Sequence, residues 1–169
     1  MSLDIPLLLI FPALMAFAAV SDMLTMTIPN RVSLLLIAGF VAMAVLTGMP
    51  LATFGLHFLA GILVLSITFG LFAAGWIGGG DAKLAAAIGL WCGFGALAEY
   101  LLVASVLGGL LTIGLLYFRT LNLPAFALKV SWIFRLHHQQ TGVPYGIALA
   151  AAGLLVYPYT QIWSSVAAA

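Results

Sequence analysis

Two carboxylates stand out in a chain that carries only four acidic residues in 169. Asp22 closes an apolar run and is followed by Met23 and Leu24, while Asp81 follows Gly78-Gly79-Gly80 and precedes another apolar run. A pair of carboxyl groups is the smallest set that hydrolyses a peptide bond with activated water. One takes a proton from the water; the other protonates or hydrogen-bonds the carbonyl oxygen. Glycines beside Asp81 would let a substrate backbone come close, because no Cβ stands in the way. Each residue also has a plainer reading. Asp81 after three glycines fits a helix N-cap, and Asp22 fits a solvated loop at a membrane edge. A carboxylate at a helix C-terminus is nonetheless opposed by the helix dipole, by about 0.3–1 kcal/mol.

Composition identifies the elements that must position these groups. Hydrophobic residues make up 65% of the chain, charged residues 5%, and the mean hydropathy is +1.27. A soluble domain of this size cannot hide so much apolar surface in one core and still present a polar exterior. The chain is therefore read as an all-α integral membrane protein, one domain over residues 1–169, embedded in the lipid bilayer. A formal net charge of +1 without any basic run gives no reason to expect a nucleic-acid partner. Its one cysteine, Cys92, rules out a disulfide framework or a zinc site of several cysteines. No metal and no cofactor are expected. The N-terminal run contains "AFAA", which resembles a signal cleavage site, but "MSLD" ahead of it is acidic rather than basic. A retained span is expected there.

Six candidate spans follow: 5–21, 32–47, 53–76, 84–98, 100–118 and 145–163. A crossing helix needs about 17–25 residues. Residues 84–118 cannot be one crossing, since at ~1.5 Å per residue they would reach about 50 Å against a hydrocarbon core of ~30 Å. "CGFG" at 92–95 and Glu99 are expected to supply the turn. Six spans sort the connections into two sets, and all five basic residues (Arg31, Lys83, Arg119, Lys129 and Arg135) fall in one of them. By the positive-inside rule that set is cytoplasmic and both termini lie on the other side. Asp22 and Asp81 then share the cytoplasmic face, while Asp4 and Glu99 lie opposite. Carboxylates at such positions are costly enough to suggest function.

The stretch "SDMLTMTIPN", residues 21–30, links the first two spans. Pro29 pushes Ile28 toward an extended conformation, and Asn30 is placed to cap the second span. "LTMTI" at 24–28 alternates and is rich in β-branched residues, so an extended edge able to pair with a substrate is one reading. An ordinary interhelical loop is the other.

Taken together, "SDMLTMTIPN" and "GGGDAKLAAAIGLW" resemble the paired signatures of the type IV prepilin peptidase family, GxGD-type intramembrane aspartyl proteases. The matching positions are Asp22, Ile28, Pro29 and Asn30, then Gly78, Gly80, Asp81 and Lys83. "VPYGIALAAAGLL" at 143–155, with Tyr145 and Gly146 at the start of the last span, resembles the family's last-span motif. The resemblance covers essentially the whole chain and implies catalysis by Asp22 and Asp81. It implies a prepilin or pseudopilin substrate cut after its leader glycine, work beside pilus assembly or secretion machinery, and a bacterial inner-membrane location. Longer members add an N-terminal cytoplasmic lobe with a zinc-binding cysteine cluster, linked to N-methylation. This chain enters its first span at once and has only Cys92, so it looks like the short form serving Flp-type, tight-adherence pili, without methyl transfer.

The helix ends suggest roles within the pair. Asp81 at the positive start of the fourth span would activate water, and Asp22 at the negative end of the first would act as the acid. Lys83 reads equally as a support for a nearby carboxylate, a contact to lipid phosphate, or a positive-inside anchor. Residues 122–136 fit an interfacial helix. His137 and His138 read as solvated loop, and His57 as structural, near the far end of span three. Tyr145 and Gly146 fit close helix packing or the lining of the site. The rival class is a small polytopic ion or proton-coupled transporter using Asp22 and Asp81; a non-catalytic secretion scaffold is a third.

Overall fold

The computed structural model describes residues 8–167, so Asp4 and the first residues of the expected first span lie outside the described residues. The fold is all-helical among the described residues. In chain order the helices are α1 (Ile10–Thr25), α2 (Asn30–Leu46), α3 (Leu51–Ala73), α4 (Gly79–Thr120), α5 (Ala125–Leu128), α6 (Ser131–His137), α7 (Tyr145–Val156), a 3-10 turn (Tyr157–Tyr159) and α8 (Gln161–Ala167). α3 and α4 are long and apolar enough to cross a membrane, and α1 and α2 are shorter apolar helices. The last expected span, 145–163, is bent. Its axis turns by 47° between Tyr145–Tyr159 and Gln161–Ala167. Pro158 in the 3-10 turn has no N–H to continue the ladder, and the Thr160 hydroxyl accepts the Trp163 N–H at 3.3 Å to start α8.

The first arm of α4 is the axis of the molecule. Its residues 84–93 are buried on every side. Helices α2, α3 and α7 all pack against α4, and α1 lies on α7 and α2. An all-round apolar helix is stable only in such a central position. Ala85, Ala86 and Ala87 keep the arm slim, so its neighbours come close. Trp91 anchors its far end. Its indole N–H donates to the Leu36 carbonyl at 2.9 Å, and its ring packs among Phe11, Phe40 and Tyr157.

The expected division of residues 84–118 occurs at Gly93 alone, as a kink rather than a loop. Gly93 has φ 56° and ψ −178°, a backbone conformation open essentially to glycine only. Glu99, expected to help form the turn, is helical. The Leu90 carbonyl, three residues before the kink, has His57 of α3 as a partner, Nδ1 lying 2.7 Å from that oxygen. A Cβ at Gly93 would stand 2.6 Å from His57 Cε1, so the position needs glycine for space as well. His57 therefore has a structural task at the end of α4's first arm.

Three local expectations are corrected. Residues 24 and 25 belong to α1 rather than to an extended edge, because α1 continues until Met26 adopts a left-handed conformation with φ 56°. Only 26–29 are non-helical between α1 and α2. Asn30 does not cap α2: Pro29 occupies the N-cap position, and Asn30 is already helical. Residues 122–136 form two short helices, α5 and α6, rather than one interfacial helix, with Lys129 and Val130 between them.

Candidate active site

Asp22 lies in the last turn of α1, and its own carbonyl closes that helix by accepting the Met26 N–H at 2.8 Å. The chain then doubles back under side-chain control. Ser21 Oγ donates to the Thr27 carbonyl at 2.9 Å, and Thr25 Oγ1 donates to the Ser21 carbonyl at 2.8 Å. These bonds fix the short 26–29 connection and drive Ile28 inward, where it is buried.

Ile28 fits a notch made by two glycines from distant segments. A Cβ on Gly80, at the start of α4, would meet Ile28 Cβ at 3.3 Å. A Cβ on Gly146, at the start of α7, would meet Ile28 Cδ1 at 2.6 Å and Asp22 Oδ2 at 2.8 Å. With glycine there, the backbone approaches closely enough for the Gly146 N–H to donate to Asp22 Oδ2 at 2.8 Å. Asp22, only 4% exposed, is thus held by an amide at the N-terminus of a helix.

Asp81 is the third residue of α4, with Gly78 as N-cap, and one of its oxygens accepts the Gly78 N–H at 3.3 Å. The simple N-cap expectation is therefore displaced by three positions: Asp81 reaches back to the cap residue instead of being it. Both carboxylates keep one oxygen bonded to a backbone amide and a second oxygen without such a bond among the described residues. Both line a single cavity of about 300 Å³, walled by Met26–Ile28 on one side and Gly78–Gly80 on the other. Such a space has room for water between two carboxyl groups.

The remaining candidate residues divide by position. Pro29 is the N-cap of α2 and does not line the cavity. Asn30 and Lys83 do not line the aspartate cavity. Lys83 Nζ donates to Asn30 Oδ1 at 2.9 Å, and both residues line a neighbouring groove. Tyr145 packs on Gly108, its hydroxyl 3.1 Å from Thr112 Oγ1, and so fixes the start of α7 to the second arm of α4.

One contributor had no signal in the sequence beyond its charge. Arg119, near the end of α4, donates through Nε to the Leu136 carbonyl at 2.9 Å. Its Nη2 donates to the Thr141 carbonyl at 2.8 Å and the Gly142 carbonyl at 2.9 Å. One guanidinium thereby holds the loop that delivers Gly146 to Asp22. His137, expected in a solvated loop, sits at the end of α6 with Nε2 2.9 Å from the Leu121 carbonyl, which reinforces the same corner.

Residues 9–113, a stretch that includes both aspartates and ends before α7, match the Type IV leader peptidase family. Among similar proteins is a prepilin leader peptidase/N-methyltransferase of Aeromonas salmonicida (strain A449), 33% identical over 137 residues, covering 78% of this chain and 42% of that protein. A protein of the same description from Aeromonas hydrophila is 32% identical over 137 residues. This chain spans less than half the length of these relatives. No solved structure matches it significantly. With its aspartates, glycines and Ile28 converging on one cavity inside the matched stretch, the chain belongs to the type IV leader peptidase family.

Proposed function

We propose that this chain is a prepilin leader peptidase, an aspartic-type endopeptidase in which Asp22 and Asp81 together activate water against the peptide bond after a leader glycine. The observation that carries the reading is the shared cavity, where two carboxylates from different helices meet beside a side-chain-free wall of glycines. One carboxylate takes a proton from water as its oxygen attacks the carbonyl carbon; the other hydrogen-bonds the carbonyl oxygen. Collapse of the tetrahedral adduct breaks the C–N bond and delivers a proton to the departing nitrogen.

Acid and base are best assigned to the pair rather than to fixed residues. Asp22 accepts a 2.8 Å amide bond and Asp81 a 3.3 Å one, so helix-end position alone does not divide the roles. Two close carboxyls share a proton and titrate as a unit. Cleavage should therefore fall on both sides of a pH optimum, when that proton is lost or a second gained.

The finer reading is a Flp-type prepilin or pseudopilin substrate, cut at the cytoplasmic face of a bacterial inner membrane, with both termini on the opposite side. Pilus assembly or secretion machinery would take the product. Leader cleavage, without N-methylation, is assigned to these 169 residues, whose one cysteine is buried in α4. A methylated product after incubation with S-adenosylmethionine and mature pilin would overturn that assignment. Transport is less well supported, because the side chains beyond the cavity, including Met15, Leu84 and Ile88, are apolar and buried. The deciding experiment is co-expression with a candidate prepilin, comparing the native chain with Asp22→Asn and Asp81→Asn. The leader should remain attached in both variants, and transport of ions without any cleavage by the native chain would favour the rival class.

A further inference from the structure

Beside the aspartate cavity lies a second, larger hollow of about 460 Å³ between α2 and α3, floored by α4. Its walls are Leu34 and Ile37 of α2 and Ile62 and Leu65 of α3, exposed by 64%, 38%, 56% and 40%. Its far end is shut where Phe40 of α2 meets Phe54 and Phe58 of α3, with ring centroids 5.9 and 6.0 Å apart. From Asn30 to Ile37 the groove is about 10 Å long at ~1.5 Å per residue, or roughly two helical turns. Its mouth is crossed by the Lys83–Asn30 hydrogen bond at 2.9 Å.

We infer that this groove seats the first two turns of an apolar helix of the substrate, because a chain that leaves the cavity into lipid must be apolar and satisfy its backbone as a helix; the inference rests on the peptidase reading above. Three observations favour this occupant. The mouth adjoins the catalytic cavity through covalent neighbours: Ile28 leads through Pro29 to Asn30, and Asp81 is two residues before Lys83. A chain with its scissile bond between the aspartates meets the groove next. Secondly, the space fits a helix half sunk in the groove: two turns, as a cylinder ~10–12 Å wide with ~5.4 Å pitch, displace about 850–1,200 Å³, so about 460 Å³ takes in roughly half of the girth and leaves the rest facing the bilayer. Thirdly, the groove floor carries Ala86 and Ala87, whose small side chains leave depth for a helix between α2 and α3. Lys83 is held across the mouth by Asn30 and has further N–H donors for an acidic side chain in the first turn of the incoming helix. Past the aromatic stop the substrate helix leans out into the bilayer.

The test uses the full chain carrying Asp81→Asn in phosphatidylethanolamine/phosphatidylglycerol vesicles, with a photoreactive phenylalanine replacing Leu34 or Ile62. The control positions are Leu102 and Ile113 on the second arm of α4, each 67% exposed. The probe is a synthetic peptide with a basic leader ending in glycine, followed by an apolar helix of about 20 residues. Peptide adducts at Leu34 and Ile62 should exceed those at the control positions by at least about tenfold. Equal labelling at all four positions, or adducts to lipid alone at Leu34 and Ile62, would overturn the inference.

A second arm fills the groove with Ile37→Trp in the otherwise native chain, with Ile113→Trp as control. Ile37→Trp should lower kcat/KM for the full peptide by about tenfold through KM, and leave a peptide truncated just after the cleaved bond within about twofold. Equal loss on both peptides, or on neither, would count against the groove. Should the native chain cut neither peptide, the peptidase reading fails by itself, while the adduct pattern still decides whether an apolar helix occupies this site.

Discussion

The two aspartates have the same chemistry and opposite kinds of support. Asp81 is held from within its own helix start, by the amide of Gly78 three residues earlier. Asp22 is held from 124 positions away, by the Gly146 amide, and that amide depends on a loop clamped by Arg119. A locally supported group survives many changes elsewhere in the fold. A group supported by distant chain is only as well placed as the framework that brings the distant segment in. Damage to the α4–α7 corner should therefore disable Asp22 while leaving Asp81 in place.

The largest effect should come from the carboxylates themselves, where the difference in support does not matter. Asp22→Asn and Asp81→Asn should each lower prepilin cleavage by about 10³-fold or more while helical circular dichroism stays native. Substantial activity in either would mean that the two do not act as a pair.

Next should come Gly146→Ala, which acts only on the Asp22 side. The new methyl would lie 2.6 Å from Ile28 Cδ1 and 2.8 Å from Asp22 Oδ2, so Ile28 and the carboxylate must both move. A displacement near 1 Å in such a site costs about 10²-fold in rate, with about 1–3 kcal/mol of stability lost to overpacking. Steady-state kinetics and thermal unfolding in detergent would measure both. Near-native cleavage would show that the Gly146 contact is not what places Asp22.

Arg119→Ala should be milder, about tenfold in kcat/KM, because it loosens a loop rather than inserting an atom. Hydrogen exchange should rise across 138–146 and stay unchanged across 79–84. Arg119→Lys should recover part of the rate, since an ammonium can still donate to some of the Leu136, Thr141 and Gly142 carbonyls. Uniform faster exchange at both aspartates would erase the contrast between the two supports.

Smallest should be Gly78→Ala, within about threefold of the native rate. The donor to Asp81 is a backbone N–H that any residue but proline supplies. The added Cβ would lie 3.0 Å from Asp81 Oδ2, the end of a side chain that can turn. A loss as large as that of Gly146→Ala would show the two aspartates to be equally dependent on close packing.

The same contrast explains what was legible beforehand. The aspartates, the glycine run and the I-P-N turn are local patterns, and each lies where its neighbours in sequence put it. Asn30 looks like a cap in its local sequence, whereas its actual partner, Lys83, lies on another helix. Likewise the break in the long apolar stretch was expected from "CGFG", but which residue bends depended on the space beside His57. The reach of α1 through Thr25 was hidden by the β-branched residues at 25, 27 and 28. Side-chain bonds from Ser21 and Thr25 outweigh that preference.

By itself the sequence determined that this is a helical membrane protein, because so apolar a chain must satisfy its backbone within helices wherever it meets lipid. It also determined which helix ends carry the acids, because helix boundaries follow local runs and breakers. Only the tertiary structure decided that Gly146 rather than a side chain holds Asp22, that Arg119 holds the loop before it, and that α2 and α3 part into a groove beside the cavity. Those features arise where segments far apart in the chain approach within a few ångströms. Such distances are set by packing around α4, and no short window of residues encodes them.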